Sequence, residues 1–301
     1  MNEALRIFAK NVISEIRYLF ISDYSFNIKK YREVFGENPD FKEPKTFAEK
    51  LLYLKMYYHN PLQNVCADKY TVMDYVRICG YPDILKEVYQ VCYYPSEIDE
   101  DLLPDKYFIQ CSHTQSHNYI VNKDDNEQLK KIKAEYKALL RRKHYKFLRE
   151  NCYKNVHPRI ICSEYLEEPG KSSLTDYKFY CFSGKAQYFM VSYGELNHNV
   201  KNHKFDMEWN SIDRFFKEKA AVDPASIPRP KNFDKMVEIV NKLAAPFPHV
   251  RVDLYNIDGR IIFGEMTFYS AGGFVKVASR EMNLKIGSWI DLKKYKNDIM
   301  I

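Results

Sequence analysis

The chain has 301 residues, 46% hydrophobic and 29% charged, which are the proportions of an ordinary folding domain. They exclude a peptide hormone, a small disulfide scaffold and a disordered or collagen-like polymer, and the length asks for one large or two joined domains. The 46 Lys and Arg against 40 Asp and Glu leave a net +6, which permits anionic partners but falls short of a nucleic-acid-binding balance.

Residues 2–20 place Leu5, Phe8, Val12, Ile16 and Leu19 at helical spacing with Arg6, Lys10 and Arg17 among the polar positions, which predicts a basic amphipathic helix. A packed surface helix is the favoured reading, and an interfacial membrane anchor is the alternative. Arg6, Lys10, Asn11, Glu15 and Arg17 break up any signal-peptide core, and no stretch nears the roughly 18 apolar residues that span a bilayer. Thr46, with Glu49 three residues on, marks a helix start before Leu51, Leu52, Leu54 and Met56. A further helix is expected over 68–78, ended by Gly80 and Pro82.

The pattern then changes. Tyr107–Cys111 and Tyr119–Val121 read as strands around the polar stretch Ser112–Asn118, and 126–150 as a Lys/Arg-rich helix. Strands are expected over 159–166, 177–182, 186–193, 250–255 and 260–268, with tight turns at Ser183-Gly184 and Asp258-Gly259 and a helix over 234–245. Helices with antiparallel hairpins make an α+β chain rather than a doubly wound one. The seven cysteines are widely spaced with no C-x-x-C pair, so reduced, buried thiols of a cytosolic protein are expected rather than a zinc site or disulfide framework. The expected localisation is cytoplasmic, with at most peripheral contact through residues 2–20 at the inner membrane face.

The most informative segment is Arg251-Val-Asp253-Leu-Tyr255, a turn, then Phe263-Gly-Glu265-Met-Thr267. In strands, 251, 253 and 255 share one face, as do 263, 265 and 267, so Asp253 and Glu265 can converge across the hairpin. Facing carboxylates repel unless a cation intervenes, and hard oxygen donors of this kind suit Mg²⁺, which completes its shell with water and phosphate oxygens. Arg251 could stabilise a transferring phosphoryl group. A solvated hairpin face with an incidental Arg–Asp pair fits the spacing equally well.

With these residues the chain resembles the ATP-grasp amidoligases of the teichuronopeptide-biosynthesis (TupA-like) type over roughly residues 30–292. The motifs run in order: Pro44-Lys-Thr-Phe-Ala-Glu-Lys-Leu, Asp68-Lys69-Tyr70, Leu103-Pro104-Asp105 leading to Cys111-Ser-His113, Pro158-Arg159-Ile-Ile, Glu164-Tyr-Leu-Glu167, Asp176-Tyr-Lys178-Phe, Val250 to Tyr255 and Gly264 to Phe268. The resemblance implies two α+β subdomains with antiparallel sheets around a nucleotide cleft. It divides the chain into a helical N-terminal segment 1–60, a first subdomain 61–150 and a second subdomain 151–301 with the metal-site hairpin. It implies ATP and Mg²⁺, and activation of a carboxylate as an acyl phosphate for attack by an amine. The partners would be a saccharide or lipid-linked saccharide acceptor and an amine donor, in cell-surface polysaccharide biosynthesis. It also assigns roles: Lys69, Ser112 and Asn118 to the nucleotide, Glu164 and Glu167 to adenine and ribose, Lys178, Arg251 and His113 to catalysis, and Asp253, Glu265 and Thr267 to the metal.

One segment departs from the family pattern. Where a lysine and a His-Gly-Ser-Gly-type loop are expected before Asn118, this chain has Gln110-Cys-Ser-His113-Thr114-Gln115-Ser116-His117. Gln110 brings no positive charge, and Thr114, Gln115 and His117 bring side chains where glycines would open the backbone to phosphate. The loop therefore binds phosphate through hydroxyls, His113 and His117, or serves another ligand. Two rival readings follow, a glycosyltransferase-like enzyme using a nucleotide sugar and a noncatalytic, degenerate ATP-grasp protein.

Overall fold

The computed structural model describes residues 3–194, 201–216 and 227–299; Asn2, the expected start of the first helix, lies outside them. In chain order the elements are α1 (Glu3–Phe20), α2 (Asp23–Phe35), α3 (Phe47–Tyr57), α4 (Pro61–Ala67), α5 (Val72–Ile78), β1 (Val88–Cys92), β2 (Lys106–Cys111), β3 (Tyr119–Asn122), α6 (Asn126–Leu139) and α7 (Tyr145–Leu148). There follow β4 (Ile160–Ser163), β5 (Asp176–Phe182), β6 (Lys185–Tyr193), β7 (Lys201–Asp206), α8 (Phe233–Ala244), β8 (His249–Ile257), β9 (Arg260–Thr267) and α9 (Arg280–Ser288). The chain forms two compact units, one of Met1–Phe26, Pro61–Tyr75 and Lys86–Tyr165, the other of Asn27–Asn60, Val76–Leu85 and Leu166–Ile301. No helix among the described residues is long and apolar enough to cross a membrane.

In the first unit an antiparallel sheet runs in the order β1-β4-β2-β3. Strand β1 was not legible in the sequence, because four of its five residues are only half-buried and give no alternation. Helix α6 buries Leu129, Ile132, Tyr136 and Leu139, and the Tyr136 hydroxyl donates to the Ile109 and His117 carbonyls at 3.0 and 2.8 Å. The helix expected over 126–150 ends at Leu139, and the chain leaves α7 at Arg149 with a left-handed φ of 61°. Helix α1 corrects the expected packing face. Its buried side is Ile7, Asn11 and Ser14, whereas Leu5, Phe8, Val12, Ile16 and Leu19 are exposed. A polar seam sets this orientation: the Asn11 amide donates to the Ala138 carbonyl (2.9 Å) and accepts from Arg142 (3.0 Å), and Lys146 pairs with Glu15. The buried Arg149 donates to Asp23 and to the carbonyls of Arg17 and Ile21.

In the second unit all neighbouring strands of the sheet β7-β6-β5-β8-β9 are antiparallel, so residues 177–193 and 250–268 lie in one sheet as expected. Both predicted tight turns are present, with φ of 48° and 88° at Ser183-Gly184 and 49° and 92° at Asp258-Gly259. Positive φ at both central residues matches the right-handed twist of the flanking strands, and glycine takes the second position without a Cβ clash. Helix α8 buries Phe233, Met236, Ile239, Val240 and Leu243 and packs on β5, β6 and β8. None of the seven cysteines is in a disulfide, and six of them are buried.

The capping box at α3 forms as read: the Glu49 amide donates to Thr46 Oγ1 at 3.2 Å and the Thr46 amide to Glu49 Oε2 at 2.9 Å. Thr46 and Glu49 are buried, so water cannot replace a lost cap. Thr46→Ala is expected to cost about 1 kcal/mol, read as a lower urea midpoint at an unchanged m-value.

Candidate active site

Strands β5, β8 and β9 are neighbours, and their register sets Lys178 opposite Asp253 and Asp253 opposite Glu265. Partners in an antiparallel ladder project to the same face, so these three side chains form one row across the sheet. The next row holds Tyr180, Arg251 and Thr267, and on the other side Asp176 pairs with Tyr255.

Gly264 makes this alignment possible. The register shifts between Asp253 and Leu254, so Leu254 pairs with Phe263 and Gly264 is the extra residue of a β-bulge. The bulge corrects the expectation that 263, 265 and 267 share a face: Phe263 is buried with Leu254 on the opposite side from Glu265. A Cβ at Gly264 would lie 3.0 Å from the Asp253 carbonyl oxygen. Gly264→Ala is therefore expected to push β9 from β8 and cost about 1–3 kcal/mol, seen as a lowered melting temperature.

Arg251 ties the site together. Its Nε donates to Asp253 Oδ1 and its Nη2 to Asp253 Oδ2, both at 2.7 Å, and Nη2 reaches Glu265 Oε1 at 2.8 Å. The Thr267 hydroxyl donates to the same Glu265 oxygen at 3.0 Å. From the other side Lys178 Nζ donates to Asp253 Oδ2 at 3.2 Å and pairs with Asp176. Burial opposes the charge of Arg251, but Asp253 and Glu265 outweigh it and hold the guanidinium well above its ordinary value. Lys178 is likewise disfavoured by burial yet raised by Asp253 and Asp176. Burial, then the charge of Asp253, raises the Asp176 carboxyl above the usual carboxylate range. Two cations thus share three carboxylates in a largely buried strip, which leaves one carboxylate charge in excess.

Among the described residues no group of three or more His, Cys, Asp or Glu side chains could by itself hold a metal ion. The oxygen donors here are the Asp253 and Glu265 carboxylates, whose Oδ1, Oδ2 and Oε1 atoms accept from Arg251, and the Thr267 hydroxyl. That set fits Mg²⁺, which commonly takes one or two carboxylates and draws its other oxygens from phosphate and water.

The other predicted residues lie elsewhere. In the first unit, buried Asp68 accepts from the Tyr70 amide (2.8 Å) and from Arg159 (2.7 Å), which fixes the backbone at Lys69, whose amide donates to the Ser112 carbonyl at 3.0 Å. Ser112 is buried, and its Oγ accepts from the Arg159 amide at 3.2 Å. His113 is buried, with Nε2 3.1 Å from the Leu139 carbonyl, and burial lowers its pKa to about 4, so the ring is neutral at pH 7. Asn118 is exposed, and before it His117 has φ of 65°, the left-handed conformation that a glycine would adopt at less cost. Gln110 is buried opposite Ile161. Glu164 closes β4, its amide donating to the Glu87 carbonyl at 2.9 Å. In the second unit Glu167 is exposed ahead of β5.

The reading of site residues missed Asp176 and the Asp68–Arg159 pair. The signal for Asp176 was present, because 176, 178 and 180 alternate onto one strand face. Arg159 is 91 residues from Asp68, and no spacing rule connects them.

The chain is thus a helical and antiparallel α+β protein with a charged strand row on its second sheet. Residues 49–291 match the family described as TupA-like ATPgrasp, and the chain belongs to that family. Among solved structures it is similar to the D-alanine–D-alanine ligase from Bacillus anthracis complexed with ATP, at 13% identity and TM-score 0.45, over 80% of this chain and 70% of that one. It is also similar to the ATP-grasp ligase PsnB complexed with minimal precursor, at 10% identity and TM-score 0.43, over 79% of this chain and 63% of that one. A third is the D-cycloserine synthetase DcsG, at 11% identity and TM-score 0.43, over 78% of this chain and 72% of that one. The chain spans less than two thirds of the length of PsnB. No curated protein matches it.

Proposed function

We propose that the chain is an ATP-dependent carboxylate–amine ligase. Family membership supports this class, and the observation that carries it is the row of Lys178, buried Asp253 and Glu265 bridged by Arg251. In the proposed reaction a substrate carboxylate oxygen attacks the γ-phosphorus of ATP, the bond to ADP breaks, and an acyl phosphate forms. The amine nitrogen then attacks the acyl carbon, phosphate leaves with the C–O bond pair, and the nitrogen loses a proton to give the amide.

Arg251 and Lys178 would orient the transferring phosphoryl oxygens, with Asp253 fixing both cations so that little reorganisation is needed. Asp253, Glu265 and Thr267 would hold Mg²⁺, which when bound offsets phosphate charge. Lys69, Ser112, Asn118, Glu164 and Glu167 are proposed as nucleotide contacts on the family resemblance, and neutral His113 would position its loop. The carboxylate is proposed to belong to a saccharide or lipid-linked saccharide, with the amine from a second substrate, in cytoplasmic steps of surface polysaccharide biosynthesis.

The test is ADP release from ATP and Mg²⁺ in the presence of carboxylated saccharides and amines, with calorimetric titration of nucleotide sugars alongside. ADP release that requires both a carboxylate and an amine supports the ligase. Binding of a nucleotide sugar in preference to ATP would assign the site to glycosyl transfer, and binding of neither would assign a noncatalytic role.

A further inference from the structure

Helix α1 carries an apolar ridge that faces away from its own unit. Leu5, Phe8, Val12, Ile16, Leu19 and Phe20 are between 41% and 83% exposed, although a helix of a folded domain ordinarily turns such residues inward. At 3.6 residues per turn they lie, with Ala9 and Ile13, on the arc opposite Ile7, Asn11 and Ser14, and no charged residue interrupts that arc. The polar seam through Asn11, Arg142 and Lys146 holds the helix in this rotation, so the exposure is built into the unit.

The charges along the ridge indicate what covers it. Arg6 and Lys10 line one margin and are exposed, whereas Arg17 on the same side turns inward, donating to the Phe147 carbonyl at 3.0 Å with its guanidinium over Phe26. The two acids of the helix are each paired: Glu3 with Arg6 (2.9 Å) and His117 (3.5 Å), and Glu15, at the other margin, with Lys146. An apolar strip with a cationic edge is complementary to acyl chains beneath anionic phosphates. A second copy fits less well. Eighteen residues make a ridge about 27 Å long and one helix wide, short of the roughly 800 Å² per partner that stable protein interfaces bury.

We propose that α1 docks the protein on an anionic lipid bilayer, its ridge among the upper acyl chains and Arg6 and Lys10 at the phosphates. The proposal does not depend on the ligase reading.

The test is flotation of the full chain with phosphatidylcholine–phosphatidylglycerol vesicles and with phosphatidylcholine vesicles. The wild-type chain should float with the mixed vesicles and much less with the neutral ones. Phe8→Glu combined with Ile16→Glu should weaken flotation at least about tenfold, because two anchors leave the acyl region and two like charges approach the phosphates. Both positions are exposed, so circular dichroism should be unchanged. Lys10→Glu, which leaves the ridge intact, should weaken binding to mixed vesicles by about fivefold or more, as one cationic contact is worth about that factor. Failure of the wild-type chain to float with mixed vesicles, or undiminished flotation of the double variant, would overturn the proposal. So would a dimer in sedimentation velocity that the double variant dissociates, which would give the ridge to a second copy.

Discussion

Asp253→Asn is expected to lower ATP-dependent turnover by about a hundredfold to a thousandfold while the chain remains folded. Asp253 is the hub of the site, accepting two hydrogen bonds from Arg251 and one from Lys178 while facing Glu265. Asparagine keeps the volume and one acceptor but removes the charge, leaving two cations in a largely buried strip with less to hold them. Losing one preorganised electrostatic partner of a transition state typically costs that range in rate. Breaking a buried ion pair costs about 3–5 kcal/mol in stability, which a domain of ordinary stability can survive at room temperature. Circular dichroism alongside ADP release separates the two effects. Arg251→Lys should fall between wild type and Asp253→Asn, because it keeps the charge but loses the planar fork that spans Asp253 and Glu265. Full activity in Asp253→Asn would remove the row from the mechanism.

The second large effect concerns acid. His249 is buried, packed against Phe47 and Phe182, with Nδ1 2.9 Å from the Cys181 carbonyl, and burial lowers its pKa to about 3. Together with His113, held to about 4, it folds as the neutral imidazole. The unfolded chain takes up these protons near the ordinary value of 6.5 and the folded chain does not. Their contribution is therefore complete above pH 6.5 and is lost as pH falls toward the folded values. Between pH 6 and pH 5 the pair should remove roughly 2 kcal/mol, since each such group contributes close to 1.4 kcal/mol per pH unit once below its unfolded pKa. Urea unfolding at the two pH values measures this together with His144, whose pKa burial also lowers, to about 3. His249→Gln should lose about 1 kcal/mol less than wild type over the same interval, and because the carboxylates titrate in both chains the difference isolates one imidazole. Equal losses in the two proteins would show that His249 takes up its proton in the folded state.

Much of the second unit was legible because its signals are local. The Thr46–Glu49 capping box, the two Gly turns and the period-2 alternation through Arg251, Asp253 and Tyr255 each depend on neighbours within a few residues. The same alternation gave the Asp253–Glu265 pairing and, through the bulge, misplaced Phe263: one extra residue at Gly264 inverts every side chain beyond it, and a lone glycine does not announce that. Helix α1 failed for a different reason. Hydrophobic periodicity assumes that the apolar side is the buried side, but here Asn11 and Ser14 are fixed inward by hydrogen bonds that include contacts to Ala138 and Arg142, more than a hundred residues away. Burial of His113 likewise depends on Leu139, and a loop histidine reads the same in sequence whether solvent or a helix end covers it.

The most direct test of the ligase account is calorimetric titration of ATP into the wild-type chain and into Asp253→Asn, each with and without Mg²⁺. The account predicts that the wild-type chain binds ATP, that Mg²⁺ tightens this binding, and that the tightening is lost in Asp253→Asn. ATP binding that is equally tight with and without Mg²⁺, and unchanged by Asp253→Asn, would contradict the assignment of this strand row to the nucleotide phosphates.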